Sequence, residues 1–382
     1  MNDPVDLPEP DRLDGAPHPR ETPRVIGQDK AEQAFLTAYN SGRLHHGWLL
    51  TGPRGLGKAT LAWQIARFLL ATPPTDQDGL IGAPPPPDTL HIDPDHPVAH
   101  RMRALSEPGL FLLRRGGAGS SDSEREKALK DGRFSDVIRV DEIRKLHSFF
   151  GLSSADGGRR VVIVDSADEL NTPAANALLK MLEEPPANAT LLLLSHQPAR
   201  LLPTIRSRCR TLRLAPLGAS DMAQALSQAG ADVAEDQIAP LTTLAEGSVG
   251  AAMRLLTLDG LTLYGNLLRL LGSMPALDRA GLLALSDSCA GKGKEARLDL
   301  LLTLTDQIAA RLARAGVTGT PPPEVLQGEA EILSRLAPDP ASGRRWAEIS
   351  QEAGDRARHA RAVNIDAGAL VTDLFLQLQK AL

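Results

Sequence analysis

The sequence predicts an α/β protein: a doubly wound parallel β-sheet that carries a phosphate-binding loop, followed by a small and then a larger helical domain. Three observations favour this fold. Apolar, strand-like runs alternate with helical patterns as far as residue 216, a glycine-rich loop joins one such run to a helix, and strand signals are absent after residue 216. Alternating strands and helices are typical of a parallel sheet covered by helices on both faces.

Length and composition exclude several classes of protein. The 382 residues are too many for one ordinary core, and the net charge of -5 gives no overall basic field for nucleic acid. The two cysteines, Cys209 and Cys289, are too few for a disulfide framework or a four-cysteine zinc site, so we expect a reducing cytoplasm. No apolar run approaches the ~18 residues of a membrane span, so we expect no membrane partner.

The first elements follow from composition and periodicity. Residues 1–22 are acidic and proline-rich, without the basic start and apolar stretch of a signal peptide, and predict a disordered tail. The α/β domain is predicted over residues 23–216. It begins with a helical pattern, continues with a buried strand at GWLL and, beyond the glycine-rich loop, has a helix at ATLAWQIARFLL.

An irregular insertion is predicted over residues 72–133, because prolines interrupt its first part and glycine, serine and charge dominate its last part. Between them, GLFLLR is a candidate strand. VIRVDEIRKLHSFF then predicts a short strand leading into a helix with Asp141 as N-cap. RRVVIVD and TLLLLS predict buried parallel strands, and the helix TPAANALLKMLEEPP between them ends at Pro185.

Helical periodicity continues to the last residue. Three short apolar stripes predict a small helical domain over residues 217–257. Longer amphipathic patterns predict a larger helical domain over residues 258–382.

The glycine-rich loop reads GPRGLGKAT and matches the G-x-x-x-x-G-K frame of a phosphate loop, with a strand before it and a helix after it. Its glycines let backbone N–H groups turn inward towards phosphate, and Lys58 is placed to reach the β and γ oxygens. Asp165 ends the later strand RRVVIVD, where a metal-orienting carboxylate belongs. The candidate nucleotide-binding residues are Gly52, Pro53, Arg54, Gly55, Leu56, Gly57, Lys58, Ala59, Thr60 and Asp165.

Two positions of this site lack the groups needed for hydrolysis. Ala59 replaces the hydroxyl that normally binds Mg²⁺, and Thr60 is rotated by ~100° along the helix. Water can fill the empty coordination position, so nucleotide can still bind more weakly. Ser166 stands where an active ATPase has a glutamate, and losing such a base typically costs about 10²–10⁴-fold in rate. Asp168 and Glu169 predict only a solvated helix start.

Four arginines lie close together in TIRSRCRTLRL: Arg206, Arg208, Arg210 and Arg213. One interpretation is a basic strand edge that touches solvent or DNA phosphates. The other is an arginine finger presented to a neighbouring subunit, where such a group can raise the rate about 10³–10⁵-fold.

Four segments together resemble the clamp loader of bacterial DNA polymerase III, a group of AAA+ ATPases. They are RVIGQDKAEQAF, RLHHGWLLTGPRGLGK, NALLKMLEEPP and TIRSRC. The resemblance covers about residues 24–256, and the helical remainder is compatible with it. It implies a lid for residues 217–257 and an oligomerising collar for residues 258–382.

Within this family, the degenerate ATP site and the intact SRC triplet imply a stator-like subunit that does not hydrolyse ATP itself. The resemblance implies that Arg208, the middle of SRC, is donated to the ATP site of an adjacent motor subunit. Two more positions bear on the chain's own site. Ser195 occupies the first sensor position, and Gly250 stands where motor relatives have a sensor arginine, with Arg254 one turn later.

The resemblance also sets expectations for cofactors. We expect ATP to bind without hydrolysis. Many relatives carry a four-cysteine zinc module between the phosphate loop and the second carboxylate, but no cysteine occurs there in this chain, so we expect no zinc. Five potential ligands in that interval predict a solvated, proline-rich loop rather than a metal site: His91, Asp93, Asp95, His96 and His100.

The implied partners are the motor and delta-type subunits of the loader, and through the assembly the sliding clamp and primed DNA. Two other functions remain open at this stage. An autonomous AAA+ ATPase acting on DNA would have to turn over despite Ala59, Ser166 and Gly250. A DNA-binding module using residues 206–213 would bind DNA tightly and with strong salt dependence.

Overall fold

The computed structural model describes residues 8–72, 85–151 and 158–382. The chain divides into two compact units, Met1–Asp232 with Ser248–Gly250, and Val233–Gly247 with Ala251–Leu382. The first unit contains the β-sheet, and the second consists of helices and the loops that join them.

Helices and strands alternate through the first unit, as the sequence predicts. Its described elements are, in chain order, α1 (Asp29–Asn40), β1 (Gly47–Thr51), α2 (Lys58–Ala71), α3 (Pro97–Arg103), β2 (Leu110–Arg114), α4 (Asp122–Lys130), α5 (Val140–Gly151), β3 (Arg160–Asp165), α6 (Thr172–Glu183), β4 (Ala189–Ser195), α7 (Pro203–Arg206), β5 (Arg210–Arg213) and α8 (Ala219–Gln228).

The five strands form one parallel sheet in the order β2-β3-β4-β1-β5. In register, Leu49 of β1 lies beside Leu193 of β4, and Arg114 at the end of β2 lies beside Asp165 at the end of β3. The predicted parallel sheet is therefore confirmed. Because all strands run the same way, the loops that follow β1, β3 and β4 emerge at one edge of the sheet.

Both faces of the sheet are buried, because successive side chains of a strand point to opposite faces. Trp48 and Leu50 belong to the core cluster that includes Phe35 of α1 and much of α2. Leu49 belongs to the other cluster, with Leu178 of α6. This two-sided burial explains why the strands read as continuous apolar runs rather than as alternating patterns.

The region around the insertion differs in part from the prediction. GLFLLR is confirmed as strand β2. VIRV does not form a strand: Ile138 makes only an isolated bridge to Leu170, and α5 begins at Val140, so Asp141 lies in its first turn rather than at its N-cap. The glycine- and serine-rich stretch contains the nine-residue helix α4, whose capping box joins Ser121 and Glu124.

The N-terminal segment also differs from the prediction of a disordered tail, at least over residues 8–22. His18 is fully buried, with its ring 5.8 Å from that of Trp63 in an edge-to-face arrangement. The Arg67 guanidinium donates to the backbone oxygens of Arg20 and Pro23, each at 3.1 Å. The physical reason is a set of long-range partners on α2 and β2 that composition alone does not reveal. Residues 1–7 lie outside the described residues.

The second unit is helical throughout, as the sequence predicts. Its elements are α9 (Glu235–Leu244), α10 (Val249–Thr257, whose first two residues belong to the first unit), α11 (Gly260–Ser273), α12 (Arg279–Cys289), α13 (Glu295–Thr318), α14 (Glu329–Leu336), α15 (Pro340–Ala362) and α16 (Ala367–Leu378). The limits of a lid at 217–257 and a collar at 258–382 stay predictions. In the parts of the chain that are described, no helix combines the length and hydropathy that crossing a membrane requires.

Candidate functional site

The phosphate loop lies between the end of β1 and the start of α2, where the sequence predicts it. Gly55 and Gly57 have φ values of +76° and +88°, a conformation that side chains other than glycine rarely adopt. Helix α2 begins directly at Lys58, so its free N–H groups lie at the loop. The backbone therefore has the form that an anion-binding loop needs.

Lys58 is turned back onto the loop. Its side-chain amine donates to the carbonyl oxygens of Gly52, at 2.6 Å, and Pro53. Burial lowers the pKa of Lys58 to about 8, although the nearby charges of Asp165 and Asp168 oppose that change. Nucleotide binding at this site would have to exchange the two carbonyl contacts for phosphate oxygens.

Ala59 has no polar group to offer a metal. Its methyl group packs against the core cluster under α1 and α2. A water molecule would have to take the place of the missing hydroxyl as a metal ligand, as the sequence suggests.

Asp165 ends β3 beside the loop, as predicted, but its environment disfavours its charged form. Burial, helped by the charges of Asp11 and Glu169, raises the pKa of Asp165 to about 7 against the opposing charges of Lys58 and Arg114. The adjacent Ser166 is buried, and its hydroxyl has no hydrogen-bond partner among the described residues. Ser166 therefore offers no carboxylate to act as a base at this position.

Asp168 and Glu169 are not a solvated helix start, so that expectation is wrong. The Asp168 carboxylate accepts a 2.6 Å hydrogen bond from the Ser195 hydroxyl. It also accepts hydrogen bonds from the backbone N–H groups of His196 and Gln197. This ties the end of β3 to the end of β4. The signal that could have found it is topological, because the carboxyl ends of parallel strands meet at one edge.

Glu169 forms two ion pairs at the same edge. Its carboxylate lies 3.2 Å from Arg54 in the phosphate loop and 3.0 Å from Arg115. Arg54 is therefore held by the chain's own carboxylate.

Residues 248–250 contact the phosphate loop from its other side. The Ser248 hydroxyl donates to the carbonyl oxygen of Arg54 at 2.9 Å, and the N–H of Gly250 donates to that of Gly55 at 3.1 Å. A Cβ atom on Gly250 would lie 2.8 Å from the Cα of Gly55. Gly250 thus makes a backbone contact with the phosphate loop at the position where the resemblance places a sensor arginine. Arg254 donates instead to the carbonyl oxygen of Ala296.

Arg208 lies just before β5, and its side chain is 37% exposed. Arg210 lies beside Trp48 in the sheet, so Arg208 is level with the residues that precede β1. The phosphate loop follows the opposite end of β1, about 20 Å away at ~3.3 Å per strand residue. The structure therefore separates Arg208 from the phosphate loop of its own chain.

The other arginines of this segment differ from Arg208. Arg206 ends the short helix α7, and the Arg210 guanidinium lies over the Trp48 ring at 5.5 Å from its centroid. Arg213 ends β5 and is exposed.

One group of three potential metal ligands comes together among the described residues: Glu9, Asp11 and His18. The His18 Nδ1 atom accepts the Arg20 N–H at 3.1 Å, so the neutral ring carries its proton on Nε2, which faces Asp11 at 3.2 Å. The carboxylates also bind Arg20 and Arg114. This donor set fits a buried ion-pair network rather than a metal site. The five candidate residues at 91–100, of which His96 caps α3 and His100 lies within it, form no such group in the described part of the chain.

Comparisons with known proteins give a consistent set of relatives. The family model described as DNA polymerase III, delta subunit, matches residues 27–218, about half of the chain. The DNA polymerase III subunit delta' of Pseudomonas aeruginosa is 37% identical over 226 residues, which are 59% of this chain and 60% of that protein. The subunit delta' of Escherichia coli K12 is 29% identical over 350 residues, 91% of this chain and 92% of the relative.

A gamma subunit is also similar. DNA polymerase III subunit gamma of Buchnera aphidicola subsp. Schizaphis graminum is 27% identical over 242 residues, 62% of this chain and 58% of the relative. The matches to the Pseudomonas and Buchnera relatives thus each span about 60% of the relative's length.

Proposed function

Since the chain belongs to the DNA polymerase III delta-subunit family, we propose that it is a clamp-loader subunit of the delta-prime type that supplies Arg208 in trans to the ATP site of a neighbouring subunit. In that role it helps to load the sliding clamp onto primed DNA during replication. Its partners are the motor subunits and the delta-type subunit of the loader, and the C-terminal helical unit is the part proposed to join them.

The observation that carries the proposal is the position of Arg208. The guanidinium is partly exposed and lies at the end of the strands opposite to the chain's own phosphate loop. It can therefore reach nucleotide only on another molecule. An arginine that reaches phosphate in trans stabilises the charge that develops in phosphoryl transfer.

The chain's own site is proposed to be catalytically silent. Ala59 has no hydroxyl, Ser166 has no carboxylate, and Gly250 contacts the loop through its backbone. The glycine conformations of the loop and the N-terminus of α2 support binding of ATP without hydrolysis. Water would complete the coordination of any Mg²⁺, and the proposed role needs no zinc.

The test is the DNA- and clamp-stimulated ATPase activity of a loader reconstituted from this chain and its cognate subunits. Arg208→Ala is expected to lower turnover at least tenfold, because a neighbouring site loses its transition-state charge. Arg206→Ala is the matched control, since it removes an arginine from the same segment, and it should stay within twofold of wild type. Gel filtration would verify that every variant assembles. Unchanged turnover in an assembled Arg208→Ala loader would overturn the proposal.

A further inference from the structure

A carboxylate from a different helix holds the side chain of Arg208. Glu183, the last residue of α6, has its Oε1 atom 3.0 Å from Arg208 Nη2. The second terminal nitrogen, Nη1, donates to the carbonyl oxygen of Thr204 at 3.1 Å. The guanidinium plane is thus fixed at two points by two separate elements.

The end of α6 is itself held in place. Pro185 ends the helix, and the His46 Nε2 atom lies 2.9 Å from the carbonyl oxygen of Leu182, one residue before Glu183. This contact runs from the residue preceding β1 to the end of α6. The carboxylate that meets Arg208 therefore comes from a fixed backbone and not from a mobile helix end.

The backbone of Arg208 is equally constrained. A Cβ atom on Gly47 would lie 3.1 Å from the carbonyl oxygen of Arg208 and 3.3 Å from Cys209 Sγ, so a larger residue at this position would push the two segments a few tenths of an ångström apart. The start of β1 thus supports both the end of α6 and the backbone of Arg208.

Hydrogen-bond geometry leaves room for a ligand. A guanidinium has five N–H donors, of which Thr204 takes one, while Glu183 contacts Nη2 as an ion pair. The donors that are not bonded to Thr204 can meet phosphate oxygens while both contacts stay in place.

We propose that Glu183 is a positioning residue for Arg208: it orients the guanidinium so that its free donors face the phosphates of the neighbouring site. This inference rests on the proposed function of Arg208. Both side chains are partly exposed, and exposed ion pairs contribute little to folding stability. The role is therefore expected in the rate of ATP turnover and not in the stability of the chain.

The experiment uses the same reconstituted loader and measures kcat and KM for ATP separately. Glu183→Ala is expected to lower kcat about tenfold and to leave KM within twofold, because a misplaced group loses effect in the transition state. Glu183→Gln keeps an oxygen acceptor and should recover a large part of the loss. Glu184→Ala is the matched control, since it removes the adjacent glutamate, and it should match wild type.

A double-mutant cycle distinguishes positioning from a merely structural role. In the Arg208→Ala background, adding Glu183→Ala should change kcat by less than twofold, because the group that Glu183 orients is absent. A full additional loss in that background would show that Glu183 acts elsewhere and would overturn the inference. A loss for Arg208→Ala with wild-type kcat for Glu183→Ala would overturn it too, yet leave the proposed function standing. No loss for Arg208→Ala would remove both.

Discussion

At the scale of single residues, Cys209 differs from the exposed Ser207 and the polar Arg208 before it in the SRC triplet. Its thiol packs against the core cluster between the sheet and α6. Burial raises the pKa of Cys209 to about 12. The thiol next to Arg208 is therefore an apolar contact that helps to fix the backbone of its neighbour.

We predict that Cys209 reacts slowly with iodoacetamide in the folded protein. Because the thiolate is the nucleophile, a pKa near 12 reduces the reactive fraction at pH 8 by about 10³-fold relative to a free cysteine. A Ser207→Cys variant, which places an exposed thiol two residues away, is the control and should be labelled rapidly. Mass spectrometry after timed quenching gives both rates. Equal labelling rates of Cys209 and the introduced thiol would contradict a Cys209 thiol that is packed against the core and has a raised pKa.

At the scale of helices, the closest packing in the C-terminal unit is the crossing of α13 and α15. A Cβ atom on Gly316 would lie 2.7 Å from the Cα of Gly343, and one on Gly343 would lie 2.8 Å from the carbonyl oxygen of Ala313. Glycine within a helix costs about 1 kcal/mol relative to alanine, so these two glycines oppose helix propensity. Their benefit is the close approach of two long backbones.

Gly316→Ala is accordingly expected to destabilise the protein by about 1–3 kcal/mol, because the added methyl group forces the two helices apart. Gly265→Ala in α11 is the control: its Cβ would meet only Leu326 at 3.5 Å, an ordinary contact. That change should be neutral or stabilising by up to about 1 kcal/mol through helix propensity. Urea unfolding followed by circular dichroism measures both, and a stabilised Gly316→Ala variant would argue against tight packing.

Elements held by local pattern could be predicted from the sequence, and those held by distant partners could not. RRVVIVD and TLLLLS are strands because their central side chains are all apolar and both sheet faces are covered. The start of α5 was missed because VIRV has strand-like composition, whereas only Ile138 finds a bridge partner. The roles of Asp168 and Glu169 depend on residues at the ends of other strands, which spacing along the chain does not reveal.

At the scale of the whole chain, the N-terminal segment is part of the sheet unit although it lies before the family match at residue 27. Glu9 and Asp11 both pair with Arg114 at the end of β2. Burial acts to raise the pKa of Asp11, but the hydrogen bond from His18 and the charge of Arg114 outweigh it and hold that pKa below its ordinary value. The segment is therefore held to the end of strand β2 by ion pairs.

Asp11→Asn is expected to destabilise the protein by about 2 kcal/mol, because it removes one of the two carboxylates that pair with Arg114 and leaves only Glu9. Asp14→Asn, an exposed change in the same segment, is the control and should cost less than about 0.5 kcal/mol. Since the pKa of Asp11 is depressed by folding, its contribution is present above the ordinary pKa of about 4 and is lost as pH falls through the folded value. Chemical unfolding at pH 7 and pH 3 measures both, and equal stabilities of the two variants at pH 7 would indicate a loose tail.

The parallel sheet gives the molecule a direction. One end of its strands carries the phosphate loop and the other end carries Arg208. Under the proposed function, such a subunit would join its neighbours head to tail, with a loop from one chain and an arginine from the next at each joint. Such a row is not symmetric about its middle. On that proposal, a chain that offers the arginine and does not use its own loop is expected at one terminus, where it completes a joint on one side and begins none on the other.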